Sequence, residues 1–103
     1  MKKTLLILSL IILSLTLPAQ NLIVGSYNIR YDNDGDKKNG NGWEQRCPVQ
    51  IELIRFYEFD VLGTQEVLHN QLNDLLAGLS EYDYVGVGRD DGKTEGELSL
   101  IHI

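Results

Sequence analysis

Cysteine is almost missing from this sequence: Cys47 is the single one in 103 residues. No intrachain disulfide can form, whatever compartment the chain occupies. A lone thiol with no neighbouring base reads as a packed or exposed free cysteine, not as a nucleophile. Basic residues are also scarce, nine Lys and Arg against fifteen Asp and Glu. That balance argues against tight nonspecific binding to nucleic acid or anionic membrane, which needs a basic surface. A divalent-cation site, by contrast, also collects carboxylates. The single long hydrophobic run, Leu5 to Leu17, falls short of the ~20 apolar residues a spanning helix requires. No repeat or low-complexity tract follows it, and the length allows one small domain at most.

What is present begins with an export leader. Lys2 and Lys3 precede the hydrophobic run, and Pro18-Ala19-Gln20 breaks it with a small residue. This is the order of a secretory signal, with cleavage expected between Ala19 and Gln20. Residues 1–19 are therefore assigned to a signal peptide, and the destination is secreted or periplasmic. No cysteine lies near the cut, so a lipid-anchored form is not expected. Removal of the leader leaves seven basic residues against fifteen acidic ones, a net charge of −8.

Asn21 to Tyr31 alternates as a strand, apolar at Leu22 and Val24 but polar on the same face at Ser26, Asn28 and Arg30. A strand running from a core to a wet cleft has this character. Asp32 to Gly42 reads as a loop. Its Asp32, Asp34 and Asp36 invite a calcium-loop reading, which fails because Lys37 stands where Gly is needed and Trp43 where Glu is needed. These aspartates are read as a solvated turn. Pro48 suits the first turn of a helix with Val49, Leu53, Ile54 and Tyr57 as its apolar stripe. Val61 to Thr64 reads as a buried strand ending at Gln65-Glu66. A second helix carries Leu68, Leu72, Leu75, Leu76 and Leu79. Tyr82 to Val87 is a third strand, followed by a charged loop from Gly88 to Gly96. Strands alternating with helices predict an α/β fold with neighbouring parallel strands. With the helices on one side, the other sheet face is left uncovered. Leu98 to Ile103 is the translation of CTG TCT CTT ATA CAC ATC, which looks like a transposon end used in library preparation. We read 98–103 as a non-native tail, against the alternative of a genuine strand from Ser99 to Ile103.

Polar groups at the carboxyl end of a buried strand occupy the ligand-binding position of open α/β folds. Glu66 there suits a hard divalent cation, or equally the start of the next helix. Asn28 suits a phosphate or a metal-bound water, or equally the backbone of the following turn. Arg30 suits a phosphate oxygen or solvent. His69 reads as a surface histidine, and Trp43 and Arg46 as packing plus an exposed charge.

Ser26-Tyr27-Asn28-Ile29-Arg30, Trp43-Glu44-Gln45-Arg46 and Asp60-Val61-Leu62-Gly63-Thr64-Gln65-Glu66-Val67 together resemble the start of the endonuclease/exonuclease/phosphatase superfamily. The resemblance runs from about Asn21 to Glu97, and residues 20–97 are assigned to the N-terminal portion of such a domain. It implies a four-layer α/β/β/α sandwich whose second sheet would cover the bare face. It implies Glu66 as a Mg²⁺ ligand (Mn²⁺ being an alternative) with Asn28 helping to place metal and phosphate. Glu97 resembles the glutamate of the third family motif, which makes Asn28, Glu66 and Glu97 the catalytic candidates. Arg30 and Arg46 are taken as substrate-binding. The Asp-x-Asn and Ser-Asp-His motifs are absent from this sequence, so the general-base histidine and its aspartate are unassigned. The implied function is metal-dependent hydrolysis of a phosphate ester by in-line attack of water. The ester's alcohol could be a nucleic acid, a phospholipid, or a sugar or inositol. The alternative is a noncatalytic extracellular protein that binds a phosphorylated ligand on the same fold.

Overall fold

The computed structural model describes residues 2–15, 20–88 and 96–103. Helix α1, Lys2–Leu15, carries most of the hydrophobic run expected to be a leader, and Leu5 to Leu8 are exposed on it. No described helix is long and apolar enough to cross a membrane. The expected cleavage after Ala19 and most of the charged loop, 89–95, lie outside the described residues.

Strand β1, Val24–Asn28, is shorter than the alternating segment that contains it. It stops because Arg30 takes a positive φ of 62°, which no strand can continue. Asn33 then caps a short helix α2, Asp34–Lys38, its Oδ1 accepting the Asp36 N–H at 2.9 Å. The solvated-turn reading of this segment needs correction, because Asp36 is buried.

Helix α3, Trp43–Tyr57, begins five residues before Pro48, which therefore sits inside the helix on its exposed side. The expected stripe is corrected as well: Val49, Leu53 and Tyr57 are exposed, and only Ile54 is buried. The inward face runs through Trp43, Cys47, Gln50, Ile51 and Ile54, a helical repeat with a polar residue in the middle. Glu58 closes the helix in the left-handed region at φ 51°.

Strand β2, Val61–Val67, leads into helix α4, His69–Gly78, which buries Leu72 and Leu75 as the leucine repeat predicts. Strands β3, Tyr82–Gly88, and β4, Gly96–His102, complete a sheet of order β1-β2-β4-β3. Only β1 and β2 are parallel, in register from Val24↔Val61 to Asn28↔Gln65. The expectation of neighbouring parallel strands holds for that pair and fails for β3, because β4 runs antiparallel between β2 and β3. Residues 98–102, read in the sequence as part of a foreign tail, occupy that inner strand. Leu98 and Leu100 lie on the face of Thr64 and Leu62 and are buried with them. The Thr64 hydroxyl donates to the Leu98 carbonyl at 2.8 Å across the same pair of strands.

The core lies between this face and helices α3 and α4, through Ile54, Leu62, Leu72, Leu75, Leu79 and Leu100. Gly25 allows a close approach to it, since a Cβ there would collide with the Phe59 ring. On the opposite face Val24, Val85 and Val87 are 66%, 62% and 73% exposed. The sheet thus has one covered and one bare side, as the helix placement predicts.

Candidate active site

The register brings the polar residues of three strands to one end of the sheet. Asn28 ends β1 opposite Gln65 of β2, and Ile29 extends the ladder by donating its N–H to the Gln65 carbonyl at 3.1 Å. Between the pairs Thr64↔Leu98 and Val67↔Gly96, β2 holds two residues, Gln65 and Glu66, against the single Glu97 of β4. That is a bulge, and Glu66 sits in it with φ 59°. The three catalytic candidates read from the sequence are therefore neighbours across the sheet: Asn28, Glu66 and, by backbone register, Glu97.

Two non-glycine residues thus take positive φ at this end, Arg30 just beyond β1 and Glu66 in the bulge of β2. Each costs about 1–2 kcal/mol relative to a right-handed backbone, so each has to be held by its surroundings. The segment after β1 is held by three side chains. Gln71 Nε2 donates to the Arg30 carbonyl at 2.9 Å, and Gln50 Nε2 donates to the Ile29 carbonyl at 3.1 Å. Arg46 donates from Nη1 to Ile29 O at 3.3 Å and from Nη2 to Arg30 O at 3.1 Å. Arg46, expected to bind substrate, is instead committed to this backbone, with its guanidinium carbon 5.8 Å from the Trp43 ring centroid. Trp43 is fixed in turn by donating Nε1 to Asp74 at 2.8 Å.

Asn28 Oδ1 accepts the Arg30 N–H at 2.8 Å, which fixes the amide orientation and leaves its NH₂ group as the outward donor. Gln65 donates Nε2 to Ser26 Oγ at 3.2 Å beside it. Glu66 is half-buried, and among the described residues its carboxylate accepts no hydrogen bond from another side chain or backbone group. Arg30 lies against Asp36, and its ion pair with that carboxylate, made first through the hydrogen bond, raises its already high pKa. The Glu66 charge adds a smaller contribution of the same sign.

A single free carboxylate with an amide beside it fits Mg²⁺, which takes one or two carboxylates and retains several waters. It does not fit a cation that needs a protein-only cage, and among the described residues no three His, Cys, Asp or Glu groups cluster for one. Of the two metal candidates, Glu66 offers the anionic oxygen, whereas Asn28 has already engaged its oxygen with Arg30 N–H. His102 does not join this end, and His69, which follows Glu66 by three residues, makes no hydrogen bond to the candidate residues among those described. His69 is exposed at the start of α4, and His102 lies at the far end of β4, edge-on to Tyr82 with ring centroids 5.4 Å apart. A cavity of about 420 Å³ opens at that far end, lined by Ile23, Asp60, Tyr82 and His102 among others, away from the strained strand ends.

No family model and no curated protein matches the chain. Solved structures do. An endonuclease/exonuclease/phosphatase family protein from Bacteroides thetaiotaomicron is 42% identical with a TM-score of 0.80, over 84% of this chain and 32% of that one. An endonuclease/exonuclease/phosphatase from Bacteroides vulgatus is 48% identical with a TM-score of 0.68, over 75% of this chain and 30% of that one. The chain belongs to the endonuclease/exonuclease/phosphatase family. A further relative, described as a mannosyl-6-phosphatase from Bacteroides thetaiotaomicron VPI-5482, is 45% identical with a TM-score of 0.75, over 80% of this chain and 32% of that one. The chain spans about a third of the length of these family members, and its mixed sheet with helices on one face is the N-terminal part of their fold.

Sequence reasoning missed the residues that build this site without touching substrate: Asp36, Gln50 and Gln71. Gln50 and Gln71 left a signal, since each interrupts the inward face of an otherwise apolar helix. A buried glutamine there demands partners, and the carbonyls of Ile29 and Arg30 supply them.

Proposed function

We propose that this chain forms the N-terminal side of the active site of an exported, Mg²⁺-dependent phosphoesterase. The observation that carries this reading is the convergence of Asn28, Glu66 and Glu97 at one sheet end, two of the three strands closing there on strained backbone. Strain of this kind collects at functional sites, where geometry matters more than stability. Family membership supports hydrolysis of a phosphate ester. Sugar phosphates are the first substrate class to test, because a 45%-identical relative is described as a mannosyl-6-phosphatase. The net charge of −8 after removal of the leader disfavours a nucleic-acid substrate gripped by its backbone.

In this reading Glu66 holds the cation, and Asn28 directs its NH₂ group to a phosphate oxygen. Arg30 offers the remaining edge of its guanidinium to the same phosphate. The cation, when bound, offsets charge on the phosphate and on the leaving oxygen. The water-activating base is assigned to family sequence beyond the third spanned here, since His102 stands at the far end of β4 and His69 has no carboxylate partner among the described residues. Export rests on the leader: its helix of 14 residues is shorter than a membrane span and opens with Lys2 and Lys3.

The test is Glu66→Gln in the full-length chain, assayed against Mg²⁺ concentration. The substitution keeps the shape and removes the charge. Turnover should fall by orders of magnitude at ordinary Mg²⁺ and recover in part at high Mg²⁺. Near-normal turnover with unchanged Mg²⁺ dependence would remove the metal-ligand assignment.

A further inference from the structure

The Arg30 guanidinium is held side-on. Its Nε donates to Asp36 Oδ2 at 2.5 Å and its Nη2 to Asp36 Oδ1 at 2.8 Å. Pairing through the Nε–Nη2 edge leaves the Nη1–Nη2 edge with its two parallel N–H groups, and among the described residues no acceptor meets Nη1. That edge is the one that binds phosphate or carboxylate in a bidentate fork. The anchor is itself fixed. Asp36 Oδ2 also accepts Asn33 Nδ2 at 2.9 Å, and the Asp36 N–H returns a bond to Asn33 Oδ1 at 2.9 Å. The Asp36 side chain is 12% exposed whereas that of Arg30 is 58% exposed, so a buried carboxylate grips one edge of an otherwise accessible cation. The backbone of Arg30 is fixed independently through its carbonyl, by Arg46 and Gln71. A flexible side chain with four rotatable bonds is thereby locked at both ends, two residues beyond Asn28.

We propose that Asp36 is a positioning residue, whose grip on one edge of Arg30 presents the other edge as a preformed fork for the phosphate group of the substrate. The inference rests on the phosphoesterase reading of the same sheet end. It assigns a purpose to the Asn33–Asp36 segment. A solvated arginine would have to lose side-chain freedom on binding, whereas this one has lost it already. The pair also keeps the local net charge near zero, so phosphate released as product is held less firmly than by a free cation.

The experiment measures binding of inorganic phosphate by calorimetry, together with steady-state kinetics, in the full-length chain. Asp36→Asn keeps the side-chain shape but cannot accept both donors of the edge. Arg30→Lys keeps the charge and loses the fork. Each should weaken phosphate binding roughly ten-fold and raise KM more than it lowers kcat, as expected for an interaction present in ground and transition states alike. The double variant should bind no more than about two-fold weaker than Arg30→Lys, because both changes remove one device. Asp34→Asn, an exposed change on the same short helix, should leave phosphate affinity and KM unchanged. Unchanged affinity in folded Asp36→Asn, or losses that multiply in the double variant, would overturn the proposal. Should Asp36→Asn fail to fold, unchanged phosphate affinity in Arg30→Lys overturns it alone. Phosphate titration does not depend on turnover, so these outcomes stay distinct from a failure of Glu66→Gln to impair catalysis.

Discussion

Glu66→Gly should make the protein more stable and inactive at once. Glu66 occupies the bulge with φ 59°, a position where glycine pays no steric penalty. An L-residue held there loses about 1–2 kcal/mol. Glycine recovers that amount but gives back roughly 0.4–1 kcal/mol through the greater freedom of its unfolded chain. The net expectation is a gain of about 0.5–1 kcal/mol. No hydrogen bond from a described residue reaches the carboxylate, so its loss breaks none among them. Glu58 provides the internal standard, with φ 51° at the end of α3 and far along the chain from the strand ends. Glu58→Gly should gain a similar amount and leave turnover unchanged. Urea unfolding of the two variants beside Glu66→Gln, which retains the strained backbone, separates backbone from charge. If Glu66→Gly is less stable than the parent while Glu58→Gly is more stable, the bulge is not strained and the reasoning from φ is refuted.

Two further outcomes follow from contacts already described. Hydrogen bonding to Arg30 holds the Asp36 carboxyl down at about 2, against 3.8 for the free group. A depressed carboxyl stabilises the fold at pH values above the free value, and that contribution disappears as pH falls from 3.8 towards 2. Acid unfolding followed by circular dichroism should therefore show a steeper fall over this window in the parent than in Asp36→Asn. Gln71→Met keeps the volume but strips the Leu68 N–H of its acceptor at 3.0 Å and the Arg30 carbonyl of one donor. Because Arg46 still serves that carbonyl, the loss should be about 1–2 kcal/mol, and a neutral effect in urea unfolding would show that the Gln71 bonds contribute nothing net.

Periodicity identified β1, β2, β3 and α4, and the Asn28 and Gln65-Glu66 strings fall together at one end of the sheet. The start of α3 was misplaced for a definite reason. Pro48 is a strong signal for a first helical turn, but Pro also tolerates an exposed position further in when only one backbone bond is lost. The stripe chosen from that start then followed Val49 and Leu53, although the buried face runs through Gln50 and Trp43. Asp36 was misjudged because its partner, Arg30, comes close only after the chain turns through a left-handed residue. Nothing in the identity of an arginine or a glutamate announces positive φ, so neither Arg30 nor Glu66 could be seen as strained. The position of β4 is legible in its alternating Leu98 and Leu100 only when their partners, Leu62 and Thr64, are known. Local pattern specifies which residues face inward, but not which strand they will face.

The strand order has a consequence for how the chain folds as it is made. β1 and β2 pair through a single crossover and are both complete by Val67. β3 is synthesised next, yet among the described residues its partner in the sheet is β4, which is complete only once residues through His102 have been made. Until then β2 presents an open edge and α4 has only half a sheet beneath it. Contacts between distant parts of the chain carry this step, and such contacts form late. The nascent intermediate therefore exposes strand edge and leucine face together, the combination that recruits chaperones or other copies. In this arrangement Leu98 and Leu100 act as the latch: once they enter, the outer strand, the covered face and the strained end of β2 are secured in a single event.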